Sequence, residues 1–384
     1  MCIRDSIFNN KINKRIINYA GPYISEEDVK FTANSLKKGF YKNYRFYTRL
    51  LEKKISKILK VKYVVATSSC TAAIHLALLA CKIKKGDEVI TADSSCVATA
   101  LPIMHVGATP VFSDVEKKNW CLSNKTILES ITKKTKAIIV VHWNGFAAEI
   151  NKIMRVAKKR GIFVIEDAAA AFCGELNKKK LGTFGDLGCF SFQGAKIATG
   201  GMGGAIVTNN KKMYEKIRIL SNLGRTDSVK KYWSDYLGWN YEMSNLTAAL
   251  IYSQIKKINF LLAKKKKIYY WYKKYFNNYK KINLIEGIKN AKNTYCYPCL
   301  LINSKENIAN DLISYLQKNK IDARNAQPQI SSMPIFGKKF NNKNSKLIDK
   351  NGIILPSAYN INEKNVKTVC LTIKKYLNKK IKNN

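Results

Sequence analysis

The residues best suited to chemistry lie between Gly185 and Gly204, in the stretch GDLGCFSFQGAKIATGGMGG. An apolar run over residues 187–192 reads as a buried strand. Lys196 follows it, and then come two glycine pairs, Gly200-Gly201 and Gly203-Gly204. A lysine beside apolar residues ordinarily sends its ammonium to water. Held in a dry pocket, it gives up its proton readily and its amine attacks carbonyls. Ser191, five residues earlier, offers a hydroxyl to an anion. The glycine-rich turn lets backbone pass close to something bulky. On these residues alone, a Schiff-base lysine and a solvated lysine both stand.

Further candidates sit where predicted strands end. Ser68, Ser69, Cys70, Thr71 and Ala72 open a predicted helix. Hydroxyls and free N–H groups at a helix start make an anion site, though ordinary N-capping reads the same. His142 closes the apolar strand predicted over 137–141, and Glu166-Asp167 follows the strand predicted over 162–165. Open α/β sheets place their ligands at such C-terminal ends.

The elements that must position these residues alternate along the chain. Residues 25–37 predict a helix with Ser25 as N-cap, and residues 45–59 an amphipathic one. Strands are expected over 63–67, 88–91, 109–112, 137–141, 162–165, 187–192 and 205–208. Helices are expected to about Cys81, and over 96–105, 149–160 and 211–221. This alternation argues for an α/β fold with a mostly parallel sheet. A long helix runs from Ser244 past Lys274 with one break. A strand near 295–302 and helices over 308–318 and 363–377 complete a smaller α+β unit.

Composition excludes several classes. The 384 residues suffice for two domains and a large core. No apolar run approaches a membrane span, and residues 1–18 lack the apolar segment of a secretory signal. The opening MCIRDS fits nothing downstream, and residues 1–18 are expected to lie outside the core. Ten irregularly spaced cysteines point to reduced thiols and a cytoplasmic setting. Cys296 and Cys299 form a lone C-x-x-C, read as a strand with two small side chains; no metal is expected. The net charge of +42 invites a nucleic-acid hypothesis. The lysines are scattered, however, and the tetralysine 264–267 reads as the solvated face of a helix. No specific nucleic-acid binding is expected; the charge suits an acidic substrate.

Taken together, SSCTAAIHLAL with KKGDEVI, TPVFSDV, TKAIIVVHWNG, VIEDAAAA, GDLGCFSFQGAK with GMGG, and LGWNYEMSN occur in the order of a known family. The chain resembles fold-type I, pyridoxal-phosphate-dependent sugar aminotransferases of the DegT/DnrJ/StrS group, over about residues 21–377. Two blocks, KKNWCLS and KYWSDYLGWNYEMSNLTAAL, together with PQISSMPIF, resemble perosamine synthases, which aminate a 4-keto-6-deoxy sugar nucleotide. The resemblance implies a pyridoxal-phosphate-binding large domain over 19–255 and a small C-terminal domain over 256–384. It implies a nucleotide-sugar substrate, glutamate as amino donor, and a homodimer with shared active sites. Lys196 would carry the cofactor as a Schiff base and move the proton. Asp167 would pair with the pyridine nitrogen. Thr71, Ala72 and Ser191 would bind the phosphate, with Asn240 reaching it from the other subunit. His142 would stand near the cofactor, and Arg324 would meet a diphosphate or a carboxylate. Five positions depart from the family: Cys70 replaces a usual glycine, Cys96 a stacking aromatic, Ala170 a glutamine, Met202 a glutamate and Glu242 an arginine. Related sugar 3-dehydratases carry histidine where Lys196 stands. The expected function is transamination of a nucleotide-linked keto-deoxysugar such as GDP-4-keto-6-deoxymannose. Alternatives are amination of a 3-keto or other nucleotide sugar, or a catalytically weakened cofactor-binding relative.

Overall fold

The computed structural model describes residues 16–226, 230, 232–304, 306–337 and 340–381. Most of the N-terminal segment expected outside the core, and Lys231 of the block quoted above, lie outside the described residues. Helices α1 (Glu26–Lys38) and α2 (Phe46–Leu59) come first. Then β1 (Tyr63–Thr67), α3 (Cys70–Ala80), β2 (Glu88–Ala92), α4 (Val97–His105), β3 (Thr109–Ser113), α5 (Asn124–Leu128), β4 (Thr135–Val141), α6 (Ile150–Arg160) and β5 (Phe163–Asp167) alternate. Short strands β6 (Glu175–Leu176) and β7 (Lys179–Lys180) precede β8 (Leu187–Ser191), β9 (Gly204–Thr208) and α7 (Lys211–Ser221).

Seven strands form one sheet in the order β1-β9-β8-β5-β4-β2-β3. Its pairs are parallel from β8 through β5, β4 and β2 to β3, whereas β9 runs antiparallel to both β8 and β1. The C-terminal ends of β1, β2, β4, β5 and β8 and the start of β9 therefore share one edge. Both faces are covered, which is why these strands read as unbroken apolar runs. The two-residue period still sorts them. Val64, Ala66, Ile138, Val140, Val164 and Phe190 face one core. Val65, Ile139, Ile165, Cys189 and Ile206 face the other, under α3 and α7. Helix α3 packs with eight of its eleven residues buried and so shows little amphipathic pattern. Helix α6, half in solvent, is strongly amphipathic and ends where Gly161 takes a left-handed φ of 64°.

After α8 (Asn245–Lys256) the chain bends at Lys257 into α9 (Ile258–Tyr275). Strands β10 (Ile282–Leu284), β11 (Ala291–Lys292) and β12 (Cys299–Ile302) follow. Next come α10 (Ala309–Lys318), β13 (Arg324–Asn325), α11 (Lys343–Asn351), β14 (Gly352–Ile354) and α12 (Glu363–Lys380). An antiparallel sheet, β10-β12-β14-β13, closes a second core with α10 and α12 through Leu312, Leu316, Ile353, Val369 and Ile373. Strand β11 reaches back to pair with β6 of the larger lobe. Helix α9 serves both cores, giving Leu261 and Tyr269 to the first and Ile268 and Tyr272 to the second.

Three expectations need correction. The strand placed at 295–302 begins only at Cys299, so Cys296 is a buried loop residue rather than a strand residue. Lys265, read as part of a solvated face, is 1% exposed, because α9 is enclosed by both lobes at that turn. Ile17 bridges to Ile321 and packs on the second core, so the end of the segment expected outside the fold joins it.

Candidate active site

The shared sheet edge gathers the predicted residues. β1 ends in Thr67, whose hydroxyl donates to the Ser69 carbonyl at 2.9 Å. Ser69, extended at φ −160°, caps α3 by accepting the Ala72 N–H on Oγ at 3.1 Å. The Ala72 amide is thus engaged by this cap. The first-turn N–H groups of Cys70 and Thr71 lack intrahelical partners, as at every helix start, and the helix dipole there favours an anion. The glycine turn lies against this point. Gly203 bridges to Ser69, and a Cβ on Gly204 would stand 2.4 Å from the Ser69 carbonyl carbon. The bulky neighbours that the glycines admit are therefore α3 itself and, at Gly200, Ile251 of α8.

Asp167 ends β5 and is 5% exposed. Its Oδ2 accepts from the Thr99 hydroxyl at 2.7 Å and its Oδ1 from the Ala169 N–H at 3.1 Å. These bonds aim the carboxylate and stabilise its charge. Ser191 ends β8, with Oγ 3.4 Å from the Gln193 N–H. Lys196 is half-buried in the turn that follows, its N–H bonded to the Gln193 carbonyl at 2.8 Å. The Cys70 thiol ties these groups together: burial pushes it well up, the Asp167 charge raises it further, and the Lys196 ammonium and the Cys96 thiol act on it too. Asp167, Lys196 and Cys96, from three further segments, thus lie within electrostatic reach of Cys70. Ala170 is buried nearby, its carbonyl accepting from the Thr294 hydroxyl at 2.7 Å.

His142 does not join them with a free nitrogen. Its Nδ1 accepts the Ala148 N–H at 3.2 Å, so Nε2 carries the proton toward Glu166 Oε2, 2.9 Å away. Both ring nitrogens are thus engaged within the fold. Arg324 pairs with Asp322 at 2.8 Å, 58% exposed, and stacks over Tyr19; it is a surface ion pair in this chain. Asn240 is exposed and bridges to Asn222, beside the Tyr241 carbonyl that accepts the Ser68 N–H. Glu242 pairs with Arg45 at 2.6 Å, at the rim of a cleft of about 780 Å³ that Arg49, Arg218 and Arg225 also line. The usual arginine at 242 is thus exchanged for a carboxylate whose cationic partner comes from the start of α2.

Two buried carboxylates had no role assigned from the sequence. Glu166 accepts the N–H groups of Phe184 at 2.5 Å, Gly185 at 2.7 Å and Gly182 at 2.8 Å, besides His142. It fixes the turn that feeds β8. Asp93, at the end of β2, accepts from Gln329 at 2.8 Å, Ser331 N at 2.8 Å, Ser331 Oγ at 2.9 Å and Asn342 at 2.7 Å. It ties the small lobe to the same edge, two residues before Ser95, which contacts Thr99. An acidic residue at each strand end was the available signal.

The donor set fits pyridoxal phosphate. Helix-start amides and the Ser191 hydroxyl suit its phosphate, the Asp167 carboxylate suits a protonated pyridine nitrogen, and an unpaired amine on Lys196 suits its aldehyde. The model of the DegT/DnrJ/EryC1/StrS aminotransferase family matches residues 22–374. A GDP-perosamine synthase of Escherichia coli O157:H7 is 32% identical over 361 residues, covering 94% of this chain and 98% of its own. A UDP-N-acetyl-3-dehydro-alpha-D-glucosamine 3-aminotransferase of Acidithiobacillus ferrooxidans is 40% identical over 204 residues, covering 53% and 54%. Helicobacter pylori PseC, an aminotransferase involved in the biosynthesis of pseudoaminic acid, superposes with a TM-score of 0.86 at 25% identity, over 94% of this chain and 98% of that one. The site geometry and these similarities together place the chain in the DegT/DnrJ/EryC1/StrS family of pyridoxal-phosphate-dependent sugar aminotransferases.

Proposed function

We propose that this enzyme transfers an amino group from glutamate to the keto carbon of a nucleotide-linked 4-keto-6-deoxyhexose, with GDP-4-keto-6-deoxymannose as preferred acceptor, and acts as a homodimer. The observation that carries this reading is a near-full-length relative at 32% identity whose name is GDP-perosamine synthase. When bound, pyridoxal phosphate supplies an aldehyde and an electron-withdrawing ring that stabilises charge on the carbon being deprotonated. Lys196 Nζ holds the cofactor and carries the proton to the former carbonyl carbon. Asp167, held by Thr99 and Ala169, keeps a negative charge against the pyridine nitrogen. The start of α3 and Ser191 hold the phosphate, and Asn240 reaches the phosphate of the partner subunit. Trp120 of the KKNWCLS block is fully buried against Trp143, so that block supports the reading by shaping the core and not by touching sugar.

A second reading, amination at a 3-keto position, is favoured by the 40% identity to the Acidithiobacillus 3-aminotransferase over half the chain. Purified enzyme with pyridoxal phosphate and glutamate, offered 4-keto and 3-keto sugar nucleotides singly, distinguishes them by the mass of the amino sugar formed. Amination of GDP-4-keto-6-deoxymannose is expected; amination of 3-keto acceptors alone overturns the first reading. Borohydride is expected to fix the cofactor on Lys196, and fixation on another lysine refutes that assignment.

A further inference from the structure

Lys265 takes no part in the chemistry above, yet it is the one lysine buried among the described residues. Its Nζ donates to the Ser357 carbonyl at 2.6 Å and to Ser357 Oγ at 3.2 Å. Two rings flank the ammonium, Tyr359 with its centroid at 4.9 Å and Tyr297 at 5.5 Å. The Tyr359 hydroxyl donates to the Ile197 carbonyl at 2.9 Å, and the Tyr297 hydroxyl donates to the Ala195 carbonyl. These carbonyls belong to the residues on either side of Lys196, in the peptide units 195–196 and 197–198. Tyr19 backs the arrangement, stacking on Tyr297 at 4.9 Å while its own carbonyl accepts the Ser357 N–H at 2.8 Å.

An ammonium taken out of water costs several kcal/mol, and a methionine would fill the same volume without that cost. What the ammonium adds is directional. Cations over desolvated ring faces attract them by roughly 2 kcal/mol, and the bond to Ser357 fixes where the cation stands. The phenols in turn remain donors, since burial raises both strongly. The buried Cys296 thiol is raised by its burial and lowered by the charges of both Lys265 and Lys196, so both lysines lie within electrostatic reach of it. Four separate segments, carrying Tyr19, Lys265, Tyr297 and Ser357 with Tyr359, thus converge on the short stretch of backbone, residues 195–198, that carries Lys196.

We propose that Lys265 is a positioning residue for Lys196: through Tyr297 and Tyr359 it fixes the backbone on both sides of the nucleophile and so sets the direction in which Lys196 Nζ is presented. The inference rests on Lys196 being the nucleophile. In cofactor-free protein, Lys265→Met is expected to speed amide exchange in residues 195–198 at least tenfold. The same protein is expected to take up pyridoxal phosphate at least tenfold more slowly. Its kcat is expected to fall by a similar factor, with KM for glutamate within threefold. Lys265→Arg, which keeps a cation between the rings, is expected to stay within threefold of wild type. The double variant Tyr297→Phe/Tyr359→Phe is expected to reproduce Lys265→Met, and it carries the test if Lys265→Met does not fold. Exchange and uptake within threefold of wild type in either folded variant overturn the proposal. Borohydride fixation on Lys196 alongside unchanged exchange overturns it alone; fixation on another lysine overturns the reading of Lys196 and this proposal with it.

Discussion

Replacing Asp93 with asparagine measures how firmly the small lobe is held over the sheet edge. The carboxylate is fully buried and accepts four hydrogen bonds from Gln329, Ser331 and Asn342. Bonds to a charged acceptor contribute about 1.5–3 kcal/mol each, and neutral ones about 1 kcal/mol. In the best orientation of the new amide, three of the four bonds survive as neutral ones. The fourth, from the Ser331 N–H, meets an NH₂ group and is lost. The expected cost is about 4 kcal/mol. It falls first on residues 329–337 and 340–342, which the packing of Ile330, Phe336 and Phe340 on Phe112 and the Asn342 bond to the Phe112 carbonyl continue to hold. Local opening of the segment should rise by close to three orders of magnitude. Hydrogen exchange at the Ser331 amide reads this directly, and KM for the sugar nucleotide should rise while the cofactor stays bound. Exchange at 329–333 within threefold of wild type would refute the reasoning.

Cys96→Phe should restore a stacking surface worth about 0.5–1.5 kcal/mol and tighten pyridoxal phosphate binding up to about tenfold; titration of the apo protein checks this, and unchanged affinity counts against Cys96 facing the cofactor. Mixing Asn240→Ala with Lys196→Ala subunits should regenerate activity absent from either alone; a fully active monomer by light scattering rules out shared sites. Lys265 gives a pH signature. Burial pulls it from 10.5 to about 8, so between those values the unfolded chain binds more protons and this group's contribution to stability rises with pH. Wild type should gain on Lys265→Met by up to about 3 kcal/mol over that window in urea unfolding. Tyr297 and Tyr359 face this position in both proteins, whereas Cys296 loses the Lys265 charge that lowers its thiol, so the difference is read with Cys296→Ala in both backgrounds; a flat difference refutes the assignment.

The strands of the larger lobe were legible because each is an apolar run between turn residues. The place of β9 was not, since an antiparallel strand and a parallel one read alike when both faces are buried. That Lys196, Asp167 and Ser191 share one sheet edge could be read from spacing and strand ends. The partners of His142 and Arg324, the Ala148 amide and Asp322, belong to tertiary geometry or to a local pair that spacing does not reveal. Lys265 escaped notice inside a run of four lysines. Only the packing of α9 between two cores singles it out from its neighbours.

The position of β9 has a consequence for synthesis of the chain. β1 leaves the ribosome first of the seven strands, yet its one neighbour in the sheet is β9, with Tyr63 opposite Thr208. Until residue 208 has emerged, β1 is an apolar strand without a partner, open to mispairing with other chains. Its capture brings the Ser69 turn against Gly203 and sets the nucleophile loop beside the start of α3 in the same event. The large-lobe half of the pocket is therefore completed in one step, a little past the middle of the chain, when a strand threads between two that are already made.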